Sequence, residues 1–124
     1  MPAALVLVAE DNARNMKLFR DTLRAAGYRT LEASTGGEAV RLATEHRPAL
    51  VLMDIRLPNM DGLEALRRLR MDDRTAAIPV LAVTAQAMQG DRERFEAAGF
   101  DGYLAKPVDI DELLRVVEQL LRTA

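Results

Sequence analysis

The amino-acid sequence predicts an α/β fold: five strand–helix units, (βα)5, forming a doubly wound five-stranded parallel sheet. Two observations carry this. Short apolar runs alternate with longer amphipathic segments, and the run ends recur about every 20–30 residues, roughly one βα unit each. Three of the runs are apolar at every position rather than at every second one, which requires cover on both faces. Right-handed crossovers between parallel strands supply that cover by placing helices on both sides.

The elements follow in order. Leu5–Ala9 is the first strand. Met16, Phe19, Leu23 and Ala26 then share one stripe at spacings of three and four, a first helix, and Gly27 falls where its C-cap is expected. Thr30–Ala33 is a weaker second strand. Thr35 and Glu38 form a capping-box pattern that opens a second helix running through Glu45, and Pro48 stops it before the third run, Ala49–Met53. Arg67, Arg68, Arg70 and Arg74 fall after that run and read as a solvated face. Pro79 precedes the fourth run, Val80–Val83. A fourth helix, Ala87 to about Ala98, carries a thin apolar stripe and ends at Gly99. Tyr103–Ala105 is the fifth strand, and Ile110, Leu113, Val117 and Leu120 mark the last helix.

Composition excludes several function classes. The 124 residues suit one domain, 1–124, with no output domain attached. Net charge is −2, so the whole-chain field will not hold nucleic acid, and direct gene regulation is not expected. Cysteine is absent, which removes disulfides and thiolate metal sites and suits a cytoplasmic protein. No apolar run approaches the roughly 20 residues of a membrane helix, and "MPAALVLVAEDN" has no basic leader.

In a sheet of this kind the site lies beyond the carboxyl ends of the strands. The first strand ends in Glu10-Asp11, the third in Asp54, the fourth in Thr84 followed by Ala85, and the fifth in Lys106-Pro107. If the first and third strands are neighbours, three carboxylates converge and repel one another, which raises at least one pKa. A hard divalent cation relieves this, and magnesium fits best because it takes carboxylate oxygens and favours sites that hold a phosphoryl group. No histidine or cysteine lies in a pattern suggesting zinc; His46 reads as a solvent-exposed helix terminus. Lys106 and the Thr84 hydroxyl suit the equatorial oxygens of a phosphoryl group in transfer, and Asp54, ionised and exposed at a strand end, suits the nucleophile that receives it. A nucleotide site is disfavoured: "VAEDNARN" has no glycine pattern for a pyrophosphate, and "STGGEA" lacks the P-loop lysine and reads as a capped helix start.

Together, "VLVAEDN", "LVLMDIRLPNMDGLE", "VLAVTA" and "YLAKPVD" resemble the receiver domain of two-component response regulators, in order and spacing across essentially the whole chain. "EDNARNMKLFRDTLRAAGY" and "AVTAQAMQGDRER" look closest to single-domain members acting in cell division, and also resemble receivers of hybrid histidine kinases. The resemblance implies the flavodoxin-like receiver fold with strand order 2-1-3-4-5. It implies Asp54 as phosphoacceptor. Asp11, Asp54 and the backbone carbonyl of Arg56 become Mg2+ ligands, with Glu10 acting through a water. Thr84 and Lys106 contact the phosphoryl oxygens, and Lys106–Pro107 is a cis peptide. Met60, Asp61 and Gly62 complete the loop after the acceptor, and Arg56 and Gln86 flank the attacking water. Thr84 and Tyr103 form the switch, which changes a protein-binding face made of the fourth strand, fourth helix and fifth strand.

The partners so implied are a sensor histidine kinase or histidine phosphotransfer protein, met by the first helix, and a downstream protein target, for a monomeric signalling protein that is not an enzyme. Two other readings stay open. One is a receiver-like adaptor that binds partners without phosphorylation. The other, a phosphatase working through an aspartyl intermediate, is poorer, because it wants a second acid two residues after the nucleophile, where Arg56 stands.

Overall fold

The computed structural model describes residues 3–85 and 90–123. Among these, five strands alternate with five helices: β1 (Leu5–Ala9), α1 (Ala13–Ala25), β2 (Arg29–Ala33), α2 (Gly36–His46), β3 (Leu50–Asp54), α3 (Gly62–Met71), β4 (Val80–Thr84), α4 (Asp91–Ala98), β5 (Gly102–Ala105) and α5 (Ile110–Thr123). The sheet order is β2-β1-β3-β4-β5, with every neighbouring pair parallel. Strand limits fall within one residue of the sequence expectation, and Asp54 and Thr84 are themselves the last residues of their strands. The expected start of the fourth helix and Gln86 lie outside the described residues.

The continuous apolar runs are explained by two cores. Leu7, Ala9, Val51, Met53, Val80 and Ala82 pack with Ala39 and Ala43 of α2, Ala65, Leu66 and Leu69 of α3 and Phe95 of α4. Their sequence neighbours Val6, Val8, Leu50, Leu52, Leu81 and Val83 pack on the other face with Met16, Phe19 and Leu23 of α1 and Leu113 and Val117 of α5. Each strand residue thus has an apolar partner, whichever way its side chain points.

Helix ends show local chemistry. The Asn12 side chain accepts from Asn15 N at 2.9 Å and starts α1. Thr35 Oγ1 accepts from Glu38 N at 3.1 Å, and Glu38 Oε1 accepts in return from Ser34 N at 2.8 Å, so the capping box closes one residue early. Gly99 ends α4 in the left-handed region at φ 111°, and Arg47 ends α2 there at φ 46°, an end no glycine announced. Two stripe positions fail: Ala26 is exposed, and Ile110 keeps 43% of its surface. The 14-residue α5 is about 21 Å long, while the four- and five-residue strands span at most about 17 Å. The ends of the two longest helices, α1 and α5, therefore overhang the sheet.

Arg70 corrects the reading of the arginines as a uniform solvated face. Arg67, Arg68 and Arg74 are exposed. Arg70 instead turns under the amino end of the sheet. Its guanidinium donates to Ala76 O (3.1 Å), Ile78 O (2.7 Å), Gly99 O (3.0 Å) and Asp101 Oδ2 (2.8 Å). Asp101 Oδ2 also accepts from Val80 N at 2.8 Å. One side chain thus joins α3, the start of β4, the end of α4 and the entry to β5.

Candidate functional site

The parallel registers deliver four strand ends to one place. Ala9 pairs with Met53, Asp54 with Val83 and Thr84 with Ala105. Backbone bonds carry the ladders one step further: Glu10 N donates to Ala33 O (2.9 Å), Ile55 N to Val83 O (3.0 Å) and Lys106 N to Thr84 O (2.8 Å). The residues following each strand are therefore as firmly placed as the strands.

Glu10, Asp54 and Thr84 are buried, at 2%, 5% and 3% exposure. This corrects the expectation of an exposed Asp54: β3 is the central strand, covered by both cores, and both acceptor oxygens are engaged. Lys106 Nζ bridges Asp54 Oδ2 at 2.8 Å and Glu10 Oε1 at 2.7 Å. The second oxygens accept from main chain, Asp54 Oδ1 from Arg56 N and Glu10 Oε2 from Asn12 N, each at 3.0 Å. Asp11 is exposed at the mouth of the site. One carboxylate oxygen each from Glu10, Asp11 and Asp54 lie within 4.8 Å of one another.

The charges do not balance: three carboxylates face one ammonium. Burial pushes the Glu10 carboxyl above its ordinary value, and repulsion by Asp54 adds to this, against the pull of Lys106 and Asn12 N–H. Burial alone would lower the Lys106 pKa, but its bonds to Asp54 and Glu10 outweigh burial and hold it above 10.5. The donor set is oxygen only, anionic and crowded. It suits a hard divalent cation that retains water, and it offers nothing to a thiophilic or imidazole-seeking metal.

The loop after Asp54 is tightly folded. Gly62 N donates to Ile55 O at 2.8 Å, and Asp61 Oδ1 accepts from Glu64 N at 2.9 Å to start α3. A Cβ on Gly62 would lie 2.7 Å from Asp54 O, so the first residue of α3 comes this close to the end of β3 only as a glycine. Lys106–Pro107 is cis.

Tyr103 is half-buried on β5, its ring stacked on Phe95 of α4 at 5.5 Å with Arg92 5.7 Å above it. It therefore touches α4, not the acids. Beside the site, Asn15, Leu18, Phe19, Ala85, Lys106, Pro107 and Val108 line a depression of about 360 Å3 between α1 and the β5–α5 turn. His46 ends α2, exposed and apart from the acids. Sequence reasoning missed Asn12 as the N-cap of α1 beside Glu10; an asparagine just past the end of an apolar run was the available signal.

The response regulator receiver domain family matches residues 6–118. The polar-differentiation response regulator DivK of Brucella anthropi is 47% identical over 119 residues, covering 96% of this chain and 97% of that protein. Among solved structures, the receiver domain of the sensor histidine kinase PA1611 from Pseudomonas aeruginosa, with a magnesium ion coordinated in its active-site cleft, is 39% identical. Its TM-score is 0.89, with 96% of this chain and 98% of that chain covered. Chemotaxis protein CheY4 of Vibrio cholerae is 28% identical with a TM-score of 0.88, covering 95% of this chain and 98% of that one.

Proposed function

This chain belongs to the response regulator receiver family, and from that premise we propose that it is a DivK-like single-domain signalling switch phosphorylated on Asp54. The observation that carries the reading is the Lys106 bridge between Glu10 and Asp54, beside a third acid, Asp11. A site with excess negative charge accepts a phosphoryl group only if positive charge is brought to it. Magnesium, held by Asp11, Asp54 and the Arg56 carbonyl with Glu10 acting through a water, would supply that charge.

An Asp54 carboxylate oxygen attacks phosphorus as the bond to the donor's histidine nitrogen breaks. The imidazole leaves with the electron pair and takes up a proton. Lys106 already contacts the Asp54 oxygen at 2.8 Å and needs only a small shift to donate to a phosphoryl oxygen. Thr84, at the end of the adjacent strand, supplies a hydroxyl beside it. The rigid backbone donors at Arg56 and Asn12 keep both acids aimed without reorganisation.

The donor, a sensor histidine kinase or a phosphotransfer protein, docks on α1 and the neighbouring depression, where Leu18 stands 40% exposed. Phosphorylation replaces the single charge of the Asp54 carboxylate with a phosphoryl group carrying about −1.5 to −2, drawing Thr84 inward and biasing Tyr103 and α4 toward a second arrangement. The downstream partner is then a protein that reads β4, α4 and β5. The chain acts in the cytoplasm as a monomer, in polarity and cell-division signalling, and as a phosphoacceptor with slow self-dephosphorylation rather than as an enzyme on a metabolite. No described helix is long and apolar enough to cross a membrane.

Incubation with Mg2+ and acetyl phosphate should add one phosphoryl mass, labile to hydroxylamine and absent from Asp54→Asn. The alternative, a phosphorylation-independent adaptor, predicts no added mass and identical partner capture by wild type and Asp54→Asn.

A further inference from the structure

Between the acids of β1 and the loop after Asp54 lies a turn with no group of the site. Residues 34–37 lead from β2 into α2, and a capped helix start accounts for their sequence. Packing gives them a second role. Gly36 is buried, and a Cβ there would lie 1.9 Å from the carbonyl oxygen of Met60 and 2.8 Å from its Cβ. Ordinary contact begins near 3.4 Å, and the obstacle is backbone, so no rotamer change absorbs the shortfall. Gly36 N also donates to Pro58 O at 3.4 Å, and Met60 N donates to the same oxygen at 2.8 Å. The first turn of α2 thus bears directly on Pro58–Met60.

Both flanks of this contact lead to the acids. On one side, β2 holds the backbone of Glu10 through Ala33 O at 2.9 Å. On the other, the loop holds the Asp54 carboxylate through Arg56 N at 3.0 Å and closes on itself through Gly62 N and Ile55 O at 2.8 Å. The capping box at Thr35 and Glu38 stiffens the piece between them.

We propose that Gly36 is a positioning residue for the divalent-cation site: its contact with the Met60 carbonyl sets the separation between Glu10–Asp11 and Asp54. This rests on the magnesium reading above and adds the residue that fixes its geometry. Magnesium demands near-ideal octahedral geometry with short bonds, so a displaced loop costs affinity before it costs the fold. Gly37 provides a control one residue away. A Cβ there meets only the tip of the Asn59 side chain, Oδ1 at 2.8 Å, which can swing aside. Neither glycine has a positive φ, so alanine alters helix propensity alike at both.

The test is a calorimetric Mg2+ titration of the full chain as wild type, Gly36→Ala, Gly37→Ala and Met60→Gly, each with its thermal unfolding curve. Gly36→Ala should weaken Mg2+ binding about tenfold or more, and Gly37→Ala by less than about twofold. Met60→Gly keeps that carbonyl but removes the Met60 Cβ beside Gly36 and frees the backbone that carries the carbonyl, without a clash; it should weaken binding severalfold, which keeps the test alive if Gly36→Ala does not fold. With acetyl phosphate, Gly36→Ala should need more Mg2+ for half-maximal labelling yet recover the wild-type plateau, a split that general unfolding does not produce. Wild-type affinity in folded Gly36→Ala, or in Met60→Gly if that variant alone folds, overturns the proposal. So does equal weakening in Gly36→Ala and Gly37→Ala. A wild type that binds no Mg2+ overturns the magnesium reading, and this proposal with it.

Discussion

Lys106 and Arg70 lie at opposite ends of the same sheet, each a cation drawn in among oxygens. Arg70 donates to three carbonyls and one carboxylate, Asp101, so its cluster holds one charge of each sign. Lys106 meets two carboxylates directly and a third, Asp11, close by. The first arrangement is complete and acts as a joint. The second carries more negative than positive charge, and on the function proposed above a divalent cation would complete it. Burial does not separate the two; electrical balance does, and the unbalanced end is the one the proposed function uses.

The contrast can be broken or sharpened by experiment. Arg70→Met should cost the most, about 3 kcal/mol, because it strips the charge-assisted hydrogen bonds to three carbonyls and to Asp101 at once. Urea unfolding should give the same loss with and without Mg2+. Lys106→Met should cost about 2 kcal/mol in the presence of chelator, and Mg2+ should recover most of it by binding the folded state. Equal Mg2+ responses in the two variants would erase the distinction. A smaller effect lies at high pH. The Lys106 pKa is raised in the fold, so its stabilisation is complete below 10.5 and is lost as pH rises through its higher folded value. Wild type should therefore lose stability more steeply than Lys106→Met above that pH. Smallest is Asp72, which its bonds to Arg74 hold down to about 2. Its contribution is present above 3.8 and lost as pH falls through about 2, so wild type and Asp72→Asn should converge there in urea midpoint.

The same contrast explains what the sequence discloses. Runs such as Ala49–Met53 announce a two-faced sheet, and an acid ending such a run is conspicuous because its position is so costly. Asp54 and Glu10-Asp11 were legible for that reason, though the burial of Asp54 depends on the helices that pack over β3. Arg70 was not legible. In the sequence it is one arginine among four between positions 67 and 74, and only folding brings it the carbonyls of the loop before β4 and of Gly99 at the end of α4. Gly36 read as helix punctuation because Met60 approaches it from a distant segment. Ala26 and Ile110 kept the helical period yet missed the core, since periodicity does not say where the sheet stops.

The most direct measurement is the location of the phosphoryl group. Protein treated with Mg2+ and acetyl phosphate is reduced with borohydride, which converts an acyl phosphate to homoserine, and its peptides are sequenced by mass spectrometry. The account predicts homoserine at position 54 alone, dependent on Mg2+. Homoserine at position 11 instead, or labelling that persists undiminished in chelator, would contradict it.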